Sequence, residues 1–282
     1  MKLASFSHHD KDSYGVVVGD GIVDAGHRLG DRLPTLRSAI AADALGDIAR
    51  IAREKADLPL ASVTLRPPIP APDKIVCIGL NYREHAAETG AKVPPFPSLF
   101  LRLTNTLVAS GSPLVRPKLS GDFDFEGELA IVIGKAGRHI AKTAALDHVA
   151  GYACFNDGSI RDFQFKHATA TGKNFVSTGG FGPWITTRDE IPDPSALTLT
   201  TRVNGVQVQH SGTSDLIFDV PSIIAYVSGF TPLEPGDVIA TGTPSGVGFA
   251  RKPPLWLKAG DVVEVEISRI GVLRNPVVDE SA

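Results

Sequence analysis

Acidic residues recur at alternate positions in the segment DFDFEGELAIVIG, residues 122–134. Alternate side chains of a strand share one face, so we expect four acids to point the same way: Asp122, Asp124, Glu126 and Glu128. The apolar run that follows predicts a strand buried on both faces, which draws these acids towards the interior. Buried carboxylates repel one another unless a cation compensates them. The pattern therefore predicts a cation site at Glu126 and Glu128, about 7 Å apart at Cα; the alternative is a solvated edge strand.

A third carboxylate, Asp157, ends the apolar segment GYACFND, where a strand should give way to a turn. Three carboxylates without a Cys or His ligand favour a hard cation, Mg²⁺ or Mn²⁺, with Ca²⁺ as a further option. If all three acids are ionised, a bound divalent ion leaves one negative charge. We therefore expect cationic side chains nearby, and open coordination positions for water and substrate oxygens.

Two cationic side chains, Arg161 and Lys173, follow in the sequence. Arg161 and Gln164 lie four and seven residues after Asp157, which predicts that all three share one helical face. Arg161 can then hold a substrate carboxylate through a two-pronged contact. Lys173 lies in the segment TGKNF and is predicted to point from a Gly-rich loop into a cavity. The alternative for each cation is an ordinary exposed side chain.

His85 and Glu88 form a candidate catalytic pair in the segment NYREHAAETG, residues 81–90. Their spacing places them side by side on a short helix. A carboxylate that orients a histidine prepares it to take a proton from water; the alternative is a solvated helix face. The proline-containing segment AKVPPFP, residues 91–97, is predicted to act as a lid over a cleft.

The segment ATGTPSGVGF, residues 240–249, is rich in Gly and Thr. It contains neither of the nucleotide-binding patterns GxxxxGK[ST] and GxGxxG, which argues against nucleotide binding. We interpret it as a tight loop whose backbone N–H groups and Thr243 hydroxyl approach a small anion.

Many short elements are expected, because 28 Gly and 21 Pro are spread along the 282 residues. Hairpins are predicted around Gly-Asp-Gly within residues 14–25 and around Asn204-Gly205. Apolar residues at helical spacing predict helical structure within residues 35–57, and residues 220–230 are also predicted to be helical. Strands outnumber helices in this interpretation, which predicts a β-rich α+β fold.

The segment RPPIPAPD, residues 66–73, contains four prolines and cannot continue a helix or a central strand. We interpret it as the boundary between two domains. A small N-terminal α+β cap is predicted for residues 1–66, and the main catalytic domain for residues 70–282.

The composition excludes several classes of protein. The formal charge is −3, and 43% of the residues are hydrophobic. These values argue against a disordered chain and against nucleic-acid binding through bulk electrostatics. No apolar run reaches the roughly 18 residues that span a membrane, and the N-terminus lacks the apolar core of a signal peptide. The two cysteines, Cys77 and Cys154, are predicted to be buried strand thiols, which is consistent with a reducing, cytoplasmic compartment.

The ordered combination of these motifs resembles the fumarylacetoacetate hydrolase family over residues ~70–277, in its branch of bacterial acylpyruvases and 2-hydroxyhepta-2,4-diene-1,7-dioate isomerases. The segments that carry the resemblance are GLNYREHAAETG, DFDFEGELAIVIG, GYACFNDGSIRDFQ, GKNFVSTGGFGPW, ATGTPSGVG and GDVVEVEISRIGVLRNPV. The resemblance implies a β-sandwich or β-roll fold with few short helices and an N-terminal cap. It also implies a homodimer and a divalent metal, usually Mg²⁺ or Mn²⁺.

Carried over by motif, the resemblance implies three groups of site residues. The metal-binding carboxylates are Glu126, Glu128 and Asp157. The water-activating pair is His85 and Glu88. The substrate pocket comprises Arg161, Gln164, Thr243 and the catalytic lysine Lys173. Two segments beside the pocket, FLRLTNTLV and NFVSTGGFGPW, depart from the family pattern, so the substrate stays open.

The predicted reaction is metal-dependent hydrolysis of a C–C bond in a 2,4-diketo acid of the acylpyruvate type, giving pyruvate or a related 2-oxo acid and a carboxylic acid. The metal would chelate the 1-carboxylate and 2-keto oxygens and stabilise an enolate. His85 would deprotonate the water that attacks the 4-keto carbon, and Lys173 with Gln164 would stabilise the oxyanion. The alternatives are decarboxylation of a β-keto acid, isomerisation or hydration of an unsaturated 2-oxo diacid, and a non-catalytic metal- or ligand-binding dimer.

Overall fold

The computed structural model describes residues 1–281. Within these residues most elements are short, as the frequent Gly and Pro predict. The strands are β1 (Lys2–His8), β2 (Lys11–Val18), β3 (Gly21–Asp24), β4 (Leu58–Pro59), β5 (Thr64–Leu65), β6 (Ile75–Gly79), β7 (Ser98–Leu101), β8 (Leu107–Val108), β9 (Leu114–Arg116), β10 (Phe123–Asp124), β11 (Gly127–Ile133), β12 (Val149–Asn156), β13 (Ser159–Ile160), β14 (Gly179–Thr187), β15 (Thr198–Val203), β16 (Val206–Gly212), β17 (Val238–Ala240), β18 (Val262–Ile267) and β19 (Gly271–Asp279).

Helices connect these strands and cover their faces. The α-helices are α1 (Ala25–Leu29), α2 (Leu36–Ala41), α3 (Leu45–Ile51), α4 (Arg83–Glu88), α5 (Arg161–Lys166), α6 (Thr169–Lys173) and α7 (Val220–Phe230). Short 3₁₀ turns lie at Gly30–Arg32, Leu60–Ser62, Thr104–Thr106, Lys142–His148, Arg188–Glu190, Pro194–Ala196 and Thr213–Asp215.

A mixed sheet of twelve strands forms the centre of the molecule, in the order β4-β3-β2-β1-β14-β12-β11-β17-β6-β7, with β5 beside β1 and β8 beside β14. A second sheet has the order β16-β15-β18-β19-β9, and β10 pairs with β13 alone. Most neighbours are antiparallel, whereas three pairs are parallel: β17 with β6, β8 with β14, and β19 with β9. This strand-rich, mixed architecture confirms the predicted fold class.

Strand β11 is buried along its whole length, as its apolar run predicts. Leu129, Ile131 and Ile133 pack into a core shared with the five-stranded sheet and α7. Ala130 and Val132, on the opposite face, pack into a core shared with α2 and α3. The central sheet is thus covered on both sides, which fixes the position of the acids at the start of β11.

Both predicted hairpins are confirmed. Strands β2 and β3 pair across Gly19 and Asp20. Strands β15 and β16 pair across Asn204 and Gly205, whose φ angles of 54° and 78° are the positive values that a tight hairpin turn requires. The predicted helix over residues 220–230 is also present, as α7.

The segment 35–57 forms two helices rather than one continuous helix. Thr35 caps α2, and its side chain accepts the Ser38 N–H at 3.0 Å. The chain leaves helical geometry at Asp43, whose φ is 54°, and α3 begins two residues later. The break allows both helices to pack against the same core of the central sheet.

The predicted cap region shares the central sheet with the rest of the chain. Strand β1 pairs with β14, with Lys2 opposite Thr186, and Arg37 of α2 donates to the Pro235 carbonyl at 3.2 Å. Residues 66–73 form neither helix nor strand, in agreement with their proline content. The domain boundary placed there stays a prediction.

Both cysteines are buried in strands, as predicted: Cys77 lies in β6 and Cys154 in β12. Burial raises the pKa of the Cys154 thiol to about 12 and that of Cys77 well above its ordinary value. In the part of the chain that the structure describes, no helix is long and apolar enough to cross a membrane.

Candidate active site

Three acids meet where β11 begins and β12 ends. These antiparallel strands pair Gly127 with Asn156. Glu126 and Asp157, which lie just beyond this pair, therefore face each other, and the Asp157 N–H donates to the Glu126 carbonyl at 2.8 Å. Glu128 lies two residues after Glu126 and points to the same side. One carboxylate oxygen from each of the three acids lies within 4.8 Å of the others. The register of β11 and β12 thus assembles the acid triad, Glu126, Glu128 and Asp157.

The acidic segment consists of two strands, not the single strand that its alternation predicts. Strand β10 pairs with β13, and the chain changes partner before β11 starts at Gly127. The carboxylate of Asp124 nevertheless joins the cluster, because it accepts from Arg161 Nε at 2.8 Å. The alternative of a solvated edge strand is wrong, since Glu126 and Glu128 are only 6% and 1% exposed.

Gly127 separates the two glutamates and leaves room for the second sheet. A Cβ atom at this position would lie 2.0 Å from Thr201 Oγ1 of β15, far closer than any real contact. The Gly127 N–H donates to Gln209 Oε1 of β16, and its carbonyl accepts from the Thr243 hydroxyl, both at 2.9 Å. The second sheet therefore sets the backbone between the two carboxylates.

Lys173 is buried among the acids. Its Nζ lies 2.6 Å from Glu126 Oε2 and 2.5 Å from Asp157 Oδ2. It is the last residue of α6 rather than part of a loop, so the predicted local structure was wrong. Gly172 allows α6 to approach α5 closely, since a Cβ there would lie 2.5 Å from Gln164 Cβ. This helix contact brings the ammonium group into the cluster.

Arg161 is the first residue of α5, and β13 separates it from Asp157. The predicted helical face shared by these residues was therefore wrong, and the turn after β12 brings them together instead. Arg161 Nε donates to Asp124 at 2.8 Å and Nη1 to Gln164 at 2.9 Å, while Nη2 lies 2.6 Å from Glu126 Oε1. Side chains of the protein thus lie beside all three nitrogens, although Nη2 makes no hydrogen bond among the described residues. The two-pronged contact with substrate stays a prediction.

Arg102 is a member of the cluster that the sequence reasoning did not assign. It is 3% exposed. Its Nη1 donates to Asp157 Oδ1 at 2.6 Å and to the Gly158 carbonyl at 2.9 Å, and its Nη2 donates to Thr178 at 3.0 Å. The signal that could have found it is its charge within the apolar run FLRL, because a charge in such a run needs a buried partner.

The charges in the cluster shift the pKa values of its members in opposite directions. Burial would raise the pKa of Glu126, but Lys173 and Arg161 outweigh it and lower this pKa to about 2. Burial, followed by the charges of Asp157 and Glu126, raises the pKa of Glu128 well above its ordinary value. Burial opposes the ammonium form of Lys173, yet the neighbouring carboxylates raise its pKa. Among the three acids of the triad, Glu128 is therefore the one whose surroundings favour the protonated form.

The donor set fits a divalent cation. Three buried carboxylates, without sulfur or imidazole, are the ligands that Mg²⁺ and Mn²⁺ prefer. The wider cluster keeps one negative charge when all members are ionised; its members are Asp124, Glu126, Glu128 and Asp157 against Arg102, Arg161 and Lys173. A divalent ion would make the cluster positive by one charge, and one substrate carboxylate would then make it neutral.

Metal binding should depend on pH through Glu128. Because the metal must displace the Glu128 proton, affinity for Mg²⁺ should fall about tenfold for each pH unit below the raised pKa. The pKa of Glu128 is also higher in the folded protein than its ordinary value of 4.5 in the unfolded chain. The metal-free protein therefore loses stability as pH rises from 4.5 through the pKa of Glu128 in the folded state. We therefore expect the increase in Tm on adding Mg²⁺ or Mn²⁺ to be larger at pH 8 than at pH 6. Thermal melts with metal and with EDTA at both pH values measure it, and an equal increase at both would contradict this role of Glu128.

His85 and Glu88 form the predicted contact on α4. His85 Nδ1 lies 2.8 Å from Glu88 Oε1. A carboxylate only accepts, so Nδ1 carries the hydrogen and Nε2 keeps a free lone pair. Glu88 also accepts the Gly246 N–H at 2.9 Å, and His85 is 6% exposed. The alternative of a solvated helix face is therefore wrong for this histidine.

The loop after β17 contacts anions with its backbone, but they are the protein's own carboxylates rather than a free small anion. Three N–H groups donate to three side chains: Gly242 to Glu128 at 2.8 Å, Gly246 to Glu88 at 2.9 Å and Gly248 to Asp124 at 2.7 Å. The Thr243 hydroxyl also accepts from Gln209 Nε2 at 2.8 Å. Through these hydrogen bonds the loop connects the candidate catalytic pair to the acid cluster.

The groups of the site open onto one cavity of about 320 Å³. Seven of the nine predicted site residues line it: His85, Glu126, Glu128, Arg161, Gln164, Lys173 and Thr243. Glu88 and Asp157 lie directly behind this wall. The segment 91–97 contributes Ala91 to the cavity, and its action as a lid stays a prediction.

Comparison with known proteins identifies the family. Residues 74–278 match the family model described as the fumarylacetoacetate (FAA) hydrolase C-terminal domain. The chain belongs to the fumarylacetoacetate hydrolase family. It is 44% identical over 221 residues to the mitochondrial oxaloacetate tautomerase of Xenopus laevis, a match that covers 77% of this chain and 69% of that relative.

Two solved structures of fumarylacetoacetate hydrolase relatives match the whole chain. A maleylpyruvate hydrolase from Sphingobium sp. SYK-6, in complex with manganese(II) and pyruvate, is 34% identical with a TM-score of 0.84. A 2-hydroxyhepta-2,4-diene-1,7-dioate isomerase from Mycobacterium marinum is 32% identical with a TM-score of 0.78. Both matches cover 100% of each chain. The names describe different reactions, so the family alone does not determine the reaction.

Proposed function

We propose that this protein is a divalent-metal-dependent hydrolase of 2,4-diketo acids of the acylpyruvate type. One observation carries the proposal: the base His85, oriented by Glu88, lines the same cavity as the carboxylates of Glu126 and Glu128. A general base beside a cation site can deliver hydroxide to a substrate that the cation holds. The cavity volume of about 320 Å³ is within the range of small-molecule sites.

The proposed reaction adds water across one C–C bond. An acylpyruvate R–CO–CH₂–CO–COO⁻ and one water give R–COO⁻, one proton and pyruvate, CH₃–CO–COO⁻. The bond between the acyl carbon and C3 breaks, and its electron pair stays on C3. When bound by the acid triad, the metal supplies a Lewis acid for the 2-oxo acid half of the substrate.

The protein's own side chains account for the proton transfers. His85 Nε2 takes a proton from water as the oxygen attacks the acyl carbonyl, and Glu88 stabilises the imidazolium that forms. Lys173 and Gln164 line the cavity, and in this proposal the ammonium charge and the amide N–H groups would stabilise the developing oxyanion. The imidazolium of His85 then returns its proton to C3, which completes pyruvate.

The fumarylacetoacetate hydrolase relatives support parts of this proposal. The Sphingobium enzyme is a hydrolase whose structure contains manganese(II) together with pyruvate, the product expected here. We extend this combination to the present chain because its three carboxylates offer the same type of ion an all-oxygen site.

A second candidate is the keto–enol interconversion of oxaloacetate, which the similarity to oxaloacetate tautomerases favours. This reaction needs no attacking water. His85 would remove or add a proton at C3 only, and neither pyruvate nor a carboxylic acid would be released. The two candidates therefore share the base and differ in their products.

Pyruvate release separates the candidates. We would strip the purified protein with EDTA, add acetylpyruvate with or without Mg²⁺ or Mn²⁺, and follow pyruvate with lactate dehydrogenase. Metal-dependent release of pyruvate and acetate is the expected result. Oxaloacetate, assayed in parallel by loss of its enol absorbance, would respond alone if the protein were a tautomerase. No turnover of either compound with metal bound would contradict both candidates.

A further inference from the structure

We infer that the substrate tail, defined as the group attached to the 4-keto carbon, is uncharged. This inference rests on the proposed function and specifies its substrate class: monoanionic acylpyruvates rather than diketo acids with a second carboxylate. Three features of the cavity carry it: the pairing of its cations, the aromatic rings that cover them, and the neutral character of the remaining wall.

The first feature is the pairing of the cations. Arg161 and Lys173 line the cavity, and both already contact carboxylates of the protein. Lys173 Nζ contacts Glu126 and Asp157, and Arg161 contacts Glu126 and Asp124. Arg161 Nη1 also donates to Gln164. Lys173 Nζ also donates to the Asp157 carbonyl at 3.1 Å, and Arg161 Nη2, which makes no hydrogen bond among the described residues, lies 2.6 Å from Glu126 Oε1. Both cations are therefore already paired with carboxylates of the protein, and neither offers an unpaired charge to a second substrate carboxylate.

Aromatic rings cover the same two cations. The Phe100 ring centre lies 5.3 Å from Lys173 Nζ, and the Phe249 ring centre lies 4.5 Å from Arg161 Cζ. Phe165 packs edge-on against Phe249, with ring centres 5.2 Å apart. These rings stabilise the cations through cation–π contacts and present hydrocarbon to a ligand.

The remaining wall is neutral. Away from the acids and the two cations it is formed by apolar side chains such as Ile78, Leu99 and Phe165, and by hydroxyl groups such as those of Thr89 and Thr169. Among the described residues that line the cavity, none provides an unpaired cation. A tail carboxylate would find no unpaired cation there, whereas a hydrocarbon tail would cover apolar surface such as the Phe165 ring, which is 60% exposed.

The charge of the site leads to the same result. A divalent ion and one substrate carboxylate make the buried cluster neutral, as counted above. A second carboxylate would leave one uncompensated negative charge. A neutral acyl tail completes the site without it.

The test compares two diketo acids of the same shape. In 4-methylpentanoylpyruvate the tail ends in an isopropyl group, whereas succinylpyruvate carries a carboxylate in its place. With the Mn²⁺-loaded enzyme we expect kcat/KM for the neutral compound to be higher by at least about tenfold, because its isopropyl group covers apolar surface where a carboxylate finds no unpaired cation. Equal values, or a preference for succinylpyruvate, would overturn the inference.

A gain-of-charge variant tests the position of the tail. Thr169 lies one helical turn before Lys173 on α6 and lines the cavity. Thr169→Lys should shift the ratio of the two kcat/KM values towards succinylpyruvate, while Thr169→Met, which adds length without charge, should not. An unshifted ratio in Thr169→Lys would show that the tail lies elsewhere and would contradict this assignment of the wall.

Failure of the proposed function is recognisable separately. If neither diketo acid is cleaved, the hydrolase proposal fails, but binding of both compounds to the Mn²⁺-loaded protein can still be measured by calorimetry. A lower Kd for 4-methylpentanoylpyruvate would then support a neutral tail. A lower or equal Kd for succinylpyruvate would reject it.

Discussion

Glu128→Gln should abolish metal-dependent stabilisation and turnover while the metal-free protein keeps its fold. Glutamine has nearly the same shape, and its carbonyl can still accept the Gly242 N–H that now donates to Glu128 at 2.8 Å. It supplies no negative charge to a cation. We expect metal affinity to fall by more than about 100-fold, because even the loss of an outer-shell partner costs about 10- to 100-fold.

The same substitution should not destabilise the metal-free protein. Burial and two neighbouring carboxylates raise the pKa of Glu128, so the metal-free site favours the neutral acid that glutamine imitates. At pH 8 the variant should unfold at the same temperature as the metal-free wild type or higher. An acid that only stabilised the fold would give the opposite result.

Metal content and melting temperature provide the measurement. Mn²⁺ binding by calorimetry, and Tm with Mn²⁺ or EDTA, are compared for Glu128→Gln and the wild type. Glu266→Gln, on β18 of the five-stranded sheet, is the matched control because Glu266 pairs with Arg202 and does not line the cavity. Unchanged Mn²⁺ affinity in Glu128→Gln would refute the metal-ligand assignment.

His85→Ala should lower kcat by about 10²- to 10⁴-fold, the usual contribution of a general base. The variant removes His85, the member of the pair whose side chain lines the cavity and can take the proton from water. Mn²⁺ affinity should stay within about twofold of the wild type, because the acid triad is assembled by β11 and β12 rather than by α4. Turnover of acetylpyruvate and Mn²⁺ binding are measured on the same preparation.

Two further observations make the assignment of His85 specific. Added imidazole should restore part of the activity of His85→Ala, because a free base can enter the vacated space. Glu88→Gln should reduce kcat less than His85→Ala does, because glutamine preserves a contact to Nδ1 but not the charge that stabilises the imidazolium. Full activity of His85→Ala would contradict the catalytic role.

The design of the site explains why these two predictions are separable. The acid triad depends on the register of two central strands, which both hydrophobic cores hold in place. The catalytic pair lies on the short helix α4. The loop of residues 242–249 connects them through backbone donors to Glu88, Glu128 and Asp124. These donors are backbone N–H groups, and the triad is assembled by β11 and β12. We therefore expect a side-chain substitution in one half to leave the geometry of the other half unchanged.

The local sequence pattern was sufficient to predict contacts between residues that are close together in the chain. The alternating acids predict a shared face, and Glu126 and Glu128 do share one. The spacing of three predicts the contact between His85 and Glu88, because helix geometry alone brings such residues together. The hairpin at Asn204-Gly205 follows from the positive φ angles that these residues tolerate.

Local pattern failed where partners are distant in the chain. Nothing near Arg102 shows that Asp157 will be its partner, and Gln209 resembles its exposed neighbour Gln207 in sequence. The helical face assigned to Asp157 and Arg161 was wrong because spacing cannot reveal that a turn and β13 intervene.

The amino-acid sequence by itself determined the strand-rich fold class and identified nine candidate site residues, seven of which line one cavity. It also identified a set of three carboxylates that suits a hard divalent cation. These features depend on residue type and short-range geometry. Only the tertiary structure decided the charge balance. It placed Arg102, Arg161 and Lys173 against four carboxylates and raised the pKa of Glu128 through burial and its acidic neighbours. Coulomb interactions in a buried cluster depend on distances between strands and helices that are far apart in sequence, and those distances exist only once both sheets have packed.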